Sequence, residues 1–226
     1  MTPMRPLKDF LPLVLPFAPT APAFYAEQCL RQSAIRVCET SRLWRHKETV
    51  NLTTNGQILD VLTYASIHEI ESVYFGSGQS CELTPVQYSD IAHLLEPVST
   101  PSQSGVSPSQ FTQITPETIT VFPFLEGELH LSLIMKPRSG TQYRSIPSDP
   151  LHDHFNQVPD FMFTHHAECL AAGAIYRLLR TPGQSFSDMA TASVHGSEFN
   201  QMVRSIHNKG QTGQQRAPLR SKPYFM

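Results

Sequence analysis

Apolar residues recur every three to four positions over three stretches: about Pro22 to Leu43, Asp160 to Arg180 and Ser187 to Asn208. That spacing lines up one face of an α-helix, so each stretch predicts an amphipathic helix with its apolar stripe turned inward. The first stripe is Ala26, Leu30, Ala34, Val37 and Cys38, and Pro22 suits a first turn. The second is Phe163, Ala167, Leu170, Ala174 and Leu178, joined by Ala171 and Ile175 and stopped by Thr181-Pro182-Gly183. The third is His195, Phe199, Met202 and Ile206, widened by Val203 and ended by Gly210. Gly173 among Ala167, Ala171, Ala172 and Ala174 permits very close approach of another helix. Ala171, Gly173, Ala174, Leu178 and Phe199 are therefore the candidate residues for subunit packing.

Between the helical stretches the period shortens to two. Residues His46 to Leu52 and Gln57 to Tyr64 flank Asn55-Gly56, a type I′ hairpin signal. A further strand, Ile67 to Phe75, stops at Gly76-Ser77-Gly78. Thr84-Pro85-Val86-Gln87 reads as a capping box with proline at the first helical position, opening a short helix to about Leu95. Ile119 to Phe124 and Glu128 to Lys136 predict a second hairpin around Glu126-Gly127, with Leu129, Leu131, Leu133 and Met135 alternating toward a core. Pro97 to Pro116 carries no charge and reads as a long loop, and Pro137 to Pro159 as another irregular stretch. The order predicts an α+β fold: a helical bundle from the N-terminal helix and the C-terminal helical hairpin, beside a small antiparallel β part. The expected organisation is an extended arm over 1–21, one domain over 22–208 (helical at 22–45 and 159–208, β-rich at 46–158), and an arm over 209–226.

Composition sharpens the terminal segments. Lys209, Arg216, Arg220 and Lys222, with no Asp or Glu beside them, give the last 18 residues +4 on a chain of −2, so residues 1–208 carry −6. The tail's large apolar groups are Leu219, Tyr224, Phe225 and Met226, too few to offset an ordering cost of roughly 1–2 kcal/mol per residue. It needs a surface to lie on. A body of −6 repels duplex DNA, which argues against a specific DNA reader. Only 16% of residues are charged, against about 25% in ordinary domains, in keeping with surface that is buried on assembly. Arg5 and Lys8, then Phe10 to Phe17, then Ala21-Pro22-Ala23 imitate a secretory signal, but Asp9 and the prolines at 12, 16, 19 and 22 oppose it. No apolar run approaches the ~20 residues of a membrane span.

Reactive side chains cluster twice. His165-His166 precede Cys169, and on a helix His165 and Cys169 share a face, the arrangement of a thiol nucleophile and its base. Glu168 beside Cys169 opposes activation by raising the thiol pKa, so buried packing is the favoured reading and a Cys/His-dependent hydrolase the alternative. His152 and His154 flank Asp153 in a loop, a weak metal-ligand pattern. Cys29, Cys38, Cys81 and Cys169 form no CxxC, and Cys29 and Cys38 lie about 13 Å apart along one helix, too far to bridge. Gly76-Ser77-Gly78 lacks the spacing of a phosphate or dinucleotide loop. No enzyme activity, cofactor or metal is expected.

Several motifs in order carry a resemblance. They are Leu7-Lys8-Asp9-Phe10 running to Pro19, Glu27 to Glu39 leading to Leu43-Trp44, Ile70 to Phe75, and Val158-Pro159-Asp160-Phe161. Ala172-Gly173-Ala174, Arg177 to Gly183, and the ending Pro218-Leu219-Arg220 to Tyr224-Phe225 complete the series. Together they resemble the head-to-tail connector proteins of tailed bacteriophages and prophages, the adaptor or tail tubular protein A group. The match covers both ends and is weak across Gln79 to Ser148. The resemblance implies a ring of twelve copies in the virion neck, assembled in the bacterial cytoplasm. The ring sits between a portal protein and a tail tube or nozzle protein, and duplex DNA passes through without sequence-specific binding. It also implies that the helical part builds the ring and that the C-terminal arm reaches the portal. Arg216, Leu219, Arg220, Lys222, Tyr224 and Phe225 are then the docking residues, and the isolated protein is expected to be mostly monomeric. Another virion-associated binding module is the remaining alternative.

Overall fold

The apolar stripes become helices because each finds another to cover it. In the computed structural model, which describes residues 3–59, 65–76, 81–90, 106–138 and 156–212, the fold is mixed α+β and divides into two compact units. One joins the chain ends, Met1–Leu43 with Lys136–Met226, and the other is Trp44–Met135.

The first unit begins with strand β1 (Met4–Pro6), a 3-10 turn (Leu7–Phe10) and a short helix α1 (Leu11–Val14). This corrects the extended arm expected over 1–21. The prolines do not break the segment, because Pro12 lies in the first turn of α1, where no amide donor is required, and the others fall outside it. Leu7, Phe10 and Val14, spaced at three and four residues, are fully buried. Helix α2 (Ala23–Ser41) follows, with extended Pro22 as its N-cap and Arg42 in the left-handed region (φ 54°) closing it by an N–H bond to the Cys38 carbonyl.

The second unit is β-rich. Strands β2 (Arg45–Leu52), β3 (Gln57–Ile58), β4 (Ala65–Phe75), β5 (Cys81–Glu82), β6 (Thr84–Pro85), β7 (Gln110–Thr112), β8 (Thr118–Phe122) and β9 (Gly127–Pro137) make two sheets. Their orders are β2-β9-β4-β5 and β3-β8-β7-β6. Among the described residues neither predicted hairpin forms. β2 pairs antiparallel with β9, Arg45 opposite Ile134 and Leu52 opposite Gly127, while β3 pairs with β8, Gln57 opposite Ile119. Asn55-Gly56 instead carries the chain from one sheet to the other: Gly56 has φ 74°, and the Asn55 side-chain oxygen accepts from the Val121 amide at 3.0 Å. Gly127 is a packing glycine, since a Cβ there would stand 2.6 Å from Phe75 Cζ. Thr84-Pro85 is an edge strand, paired parallel with β7, where proline's missing donor costs nothing. Helical geometry is described only at residues 88–90 of the helix expected to run to Leu95. The loop expected over Pro97 to Pro116 contains β7, which buries Phe111 and Thr112.

The chain then returns to the first unit through β10 (Gln157–Pro159), α3 (Asp160–Leu179) and α4 (Met189–Thr212). β10 pairs antiparallel with β1, Arg5 opposite Val158, which ties the two chain ends together. Beside that pairing the Phe10 and Phe163 rings meet edge-to-face at 5.0 Å, and Arg5 bonds Asp160 at 2.8 Å while lying 4.8 Å over the Phe163 ring. Asp188 caps α4: its carboxylate accepts from the amides of Ala190 and Thr191 at 3.0 and 3.1 Å and from the Thr191 hydroxyl at 2.6 Å. The Thr191 bonds hold that carboxyl below the usual carboxylate range. Helix α4 runs on to Thr212, past the expected end at Asn208. Gly210 serves as a close-approach residue, with a Cβ position 3.1 Å from the Ser41 carbonyl oxygen. Helices α2, α3 and α4 pack on one another.

Candidate functional site

The expected reactive cluster lies in a cleft of about 510 Å³ between the start of α3 and the end of α4, lined by His165, His166, Cys169, Met202, Ile206 and Lys209 among others. Helix α3 departs from helical geometry at His166 (φ −135°, ψ 18°), and the two imidazole rings stand 6.3 Å apart. Burial pushes the Cys169 thiol up to about 12. Burial first, then His165 and Lys209, push the His166 pKa below its ordinary value. At neutral pH Cys169 is therefore a thiol and His166 a neutral imidazole. Among the described residues Cys169 makes no hydrogen bond to either histidine. A nucleophile requires the opposite arrangement, a thiolate stabilised by a nearby cation. All four cysteines are free thiols, with Cys29, Cys38 and Cys169 buried. His152, Asp153 and His154 lie outside the described residues, as do the docking candidates Arg216, Leu219, Arg220, Lys222, Tyr224 and Phe225.

The five residues named for subunit packing all lie inside the chain's own core. Ala171, Ala174, Leu178 and Phe199 are buried. A Cβ on Gly173 would stand 2.7 Å from both Phe199 Cε2 and Ser33 Oγ, so its close approach serves α2 and α4 of the same chain. These positions thus pack the helices of one subunit against each other, as apolar stripes turned inward are expected to do.

A second cleft of the same unit, about 450 Å³, escaped the sequence reading. It lies between α2 and the end of α3 and is lined by Tyr25, Gln28, Cys29, Gln32, Tyr176, Arg177, Arg180, Thr181 and Pro182. Arg177 donates to the Gln32 carboxamide at 3.1 Å, Arg180 donates to the Tyr176 hydroxyl at 2.7 Å, and the Tyr25 and Thr181 hydroxyls are bonded at 2.8 Å. Burial pushes the Cys29 thiol up to about 11, with Arg177 opposing. The signal in the sequence was there: arginines three apart, with no acid one turn away from Arg177 on either side.

No protein-family model and no curated protein matches the chain. Among the described residues no group of three or more His, Cys, Asp or Glu gathers as for a metal ion, and no helix is long and apolar enough to cross a membrane.

Proposed function

We propose that the chain is a structural head-to-tail connector of a tailed bacteriophage. In this reading copies form a ring, twelve in number, between the portal protein and the tail tube or nozzle. The ring continues the channel through which duplex DNA passes, in the neck of the virion. One observation carries the reading. The resembling segments from the two chain ends, Leu7 to Pro19 and Glu27 to Glu39 with Val158 to Phe161 and Ala172 to Gly183, belong to a single compact unit. The weakly resembling stretch falls largely in the other. Of the resembling motifs, those near the two chain ends thus belong to one physical body, as a shared ring-building element requires, and Ile70 to Phe75 belongs to the other unit. The N-terminal helix and the C-terminal helical hairpin are that bundle, and residues 209–226 are the arm that reaches the portal. Leu219, Tyr224 and Phe225 anchor it in apolar pockets, while Arg216, Arg220 and Lys222 steer it to an acidic surface. The protonated, buried state of Cys169 favours this structural role over a thiol hydrolase.

The test is to mix full-length and 216–226-deleted protein with portal rings from the same genome and image them in negative stain. Full-length protein, monomeric alone, should decorate portals; the deletion should remain a folded monomer that does not. Decoration by the deletion at wild-type affinity would remove the arm from the reading. Failure of the full-length protein to join any portal would remove the connector.

A further inference from the structure

Two guanidinium groups share the cleft between α2 and the end of α3, and no carboxylate lines it. The hydrogen-bond partners of Arg177 and Arg180 are neutral, a carboxamide and a phenol, so neither charge is compensated within the described residues. The Arg177 Nε–H is shielded from solvent without an acceptor. Arginines at i and i+3 lie on one helix face and repel each other. The helix C-terminus attracts a cation, which accounts for one of them. It does not account for two lining one cleft, with one donor left unused. An anion between them would relieve the repulsion and take up the spare donors.

The geometry points to an oxyanion-binding site that receives an aspartate or glutamate side chain of a protein partner. A guanidinium offers parallel donors that match a planar carboxylate. Tyr25, Tyr176 and Thr181 add hydroxyls, and Pro182 with the tyrosine rings supplies apolar wall for the stem of an acidic side chain. A nucleic-acid phosphate fits less well. Backbone binding relies on many cations along a track, and this cleft holds two in a chain of net −2. Arg180 is pre-positioned, its guanidinium 5.7 Å over the Tyr176 ring and hydrogen-bonded to that residue's hydroxyl. Less side-chain freedom is therefore lost when the anion arrives. The inference stands apart from the connector reading, since it rests on this cleft alone.

The experiment titrates the full chain at low salt with three probes: a hexaglutamate peptide, inorganic phosphate and a short duplex DNA. The same titrations are run on the Arg177→Gln/Arg180→Gln double variant, which removes both charges and leaves a shorter side chain with a neutral amide donor at each position. Hexaglutamate should bind the wild type best, and the double variant should bind it about tenfold more weakly or worse, the effect of losing charge-assisted bonds. The variant should unfold no earlier than the wild type, because removing adjacent like charges relieves strain. If it does unfold early, the single Arg180→Gln and Arg177→Gln variants carry the test instead, each with a smaller weakening of about threefold or more. Equal binding of hexaglutamate to wild type and folded variants, or no binding, overturns the site. Tighter arginine-dependent binding of phosphate or duplex DNA overturns the assignment to a protein carboxylate.

Discussion

Gly173→Ala tests how closely the helices of the first unit are joined. On an isolated helix the change is favourable by about 1 kcal/mol, since alanine has the higher helix propensity. Here the new methyl group would stand 2.7 Å from Phe199 Cε2, 2.8 Å from Phe199 Cδ2 and 2.7 Å from Ser33 Oγ, on two different helices. Neither neighbour yields easily: Phe199 is buried, and the Ser33 hydroxyl is held at 2.9 Å to the Cys29 carbonyl. Overpacking costs roughly 1–3 kcal/mol, and clashes with two helices at once put this one at about 2–3 kcal/mol. The expected net loss is about 1–2 kcal/mol, or a Tm lower by roughly 2–8 °C for a chain of this size. Gly196→Ala is the internal comparison. Its methyl meets the Tyr176 ring at 2.7 Å, but that ring is half-buried and its partner Arg180 is exposed and can move with it, so its loss should be smaller. Thermal melts followed by far-ultraviolet circular dichroism measure both, and Phe199→Leu should partly rescue Gly173→Ala in a double-mutant cycle. A Gly173→Ala protein as stable as the wild type would refute the close packing argued for this helix pair.

The Arg5 hydrogen bond holds the Asp160 carboxyl below the usual carboxylate range. The stability it contributes is present above the unfolded pKa near pH 4 and lost as pH falls through the lower folded value, so Asp160→Asn should flatten the fall in Tm below about pH 4. His166 has a lowered folded pKa, through burial, His165 and Lys209. The unfolded chain therefore takes the proton first, near pH 6.5, stability drops as pH falls below that, and His166→Gln should remove part of the drop in Tm between about pH 7 and 5. In native protein, iodoacetamide should label half-buried Cys81 before buried Cys29, Cys38 and Cys169, as read by peptide mass spectrometry, and equally rapid labelling of Cys169 would contradict its raised pKa.

The three long helices were legible because their information is local: a stripe such as Leu170, Ala174 and Leu178 is complete within one segment. The pairing of β2 and β3 was not, because it is settled by partners 60 or more residues away. Gln57 meets Ile119 and Arg45 meets Ile134, and nothing in the Asn55-Gly56 turn distinguishes a hairpin from a passage between sheets. Glycine and proline signals misled for the same reason. Gly127 was read as a turn residue but makes room for Phe75, and Pro12 as a breaker but lies in a first turn. The thiol cleft was foreseen as a pair on one face, His165 with Cys169. Its chemistry depends on burial, which only the packing reveals. The arginine cleft required a view of α2 and α3 together, since Tyr25 and Gln32 are about 150 residues from Arg177.

The two chain ends differ in a way that bears on the proposed connector. A terminal segment that recruits a partner must be free of its own fold, because any contact made within the chain has to be undone first. The N-terminal segment fails that condition. Its strand pairs with β10, Arg5 holds Asp160, and Leu7, Phe10 and Val14 are fully buried. Extracting those three side chains costs about 2 kcal/mol each, roughly 6 kcal/mol together, which would weaken a partner's affinity by about four powers of ten. In a neck assembly the N-terminus therefore acts as a clasp that fixes α3 against the start of the chain. In the proposed connector the docking role therefore falls to the residues that follow the end of α4 at Thr212, whose few aromatics and Arg216, Arg220 and Lys222 offer more to a partner's surface than to a core.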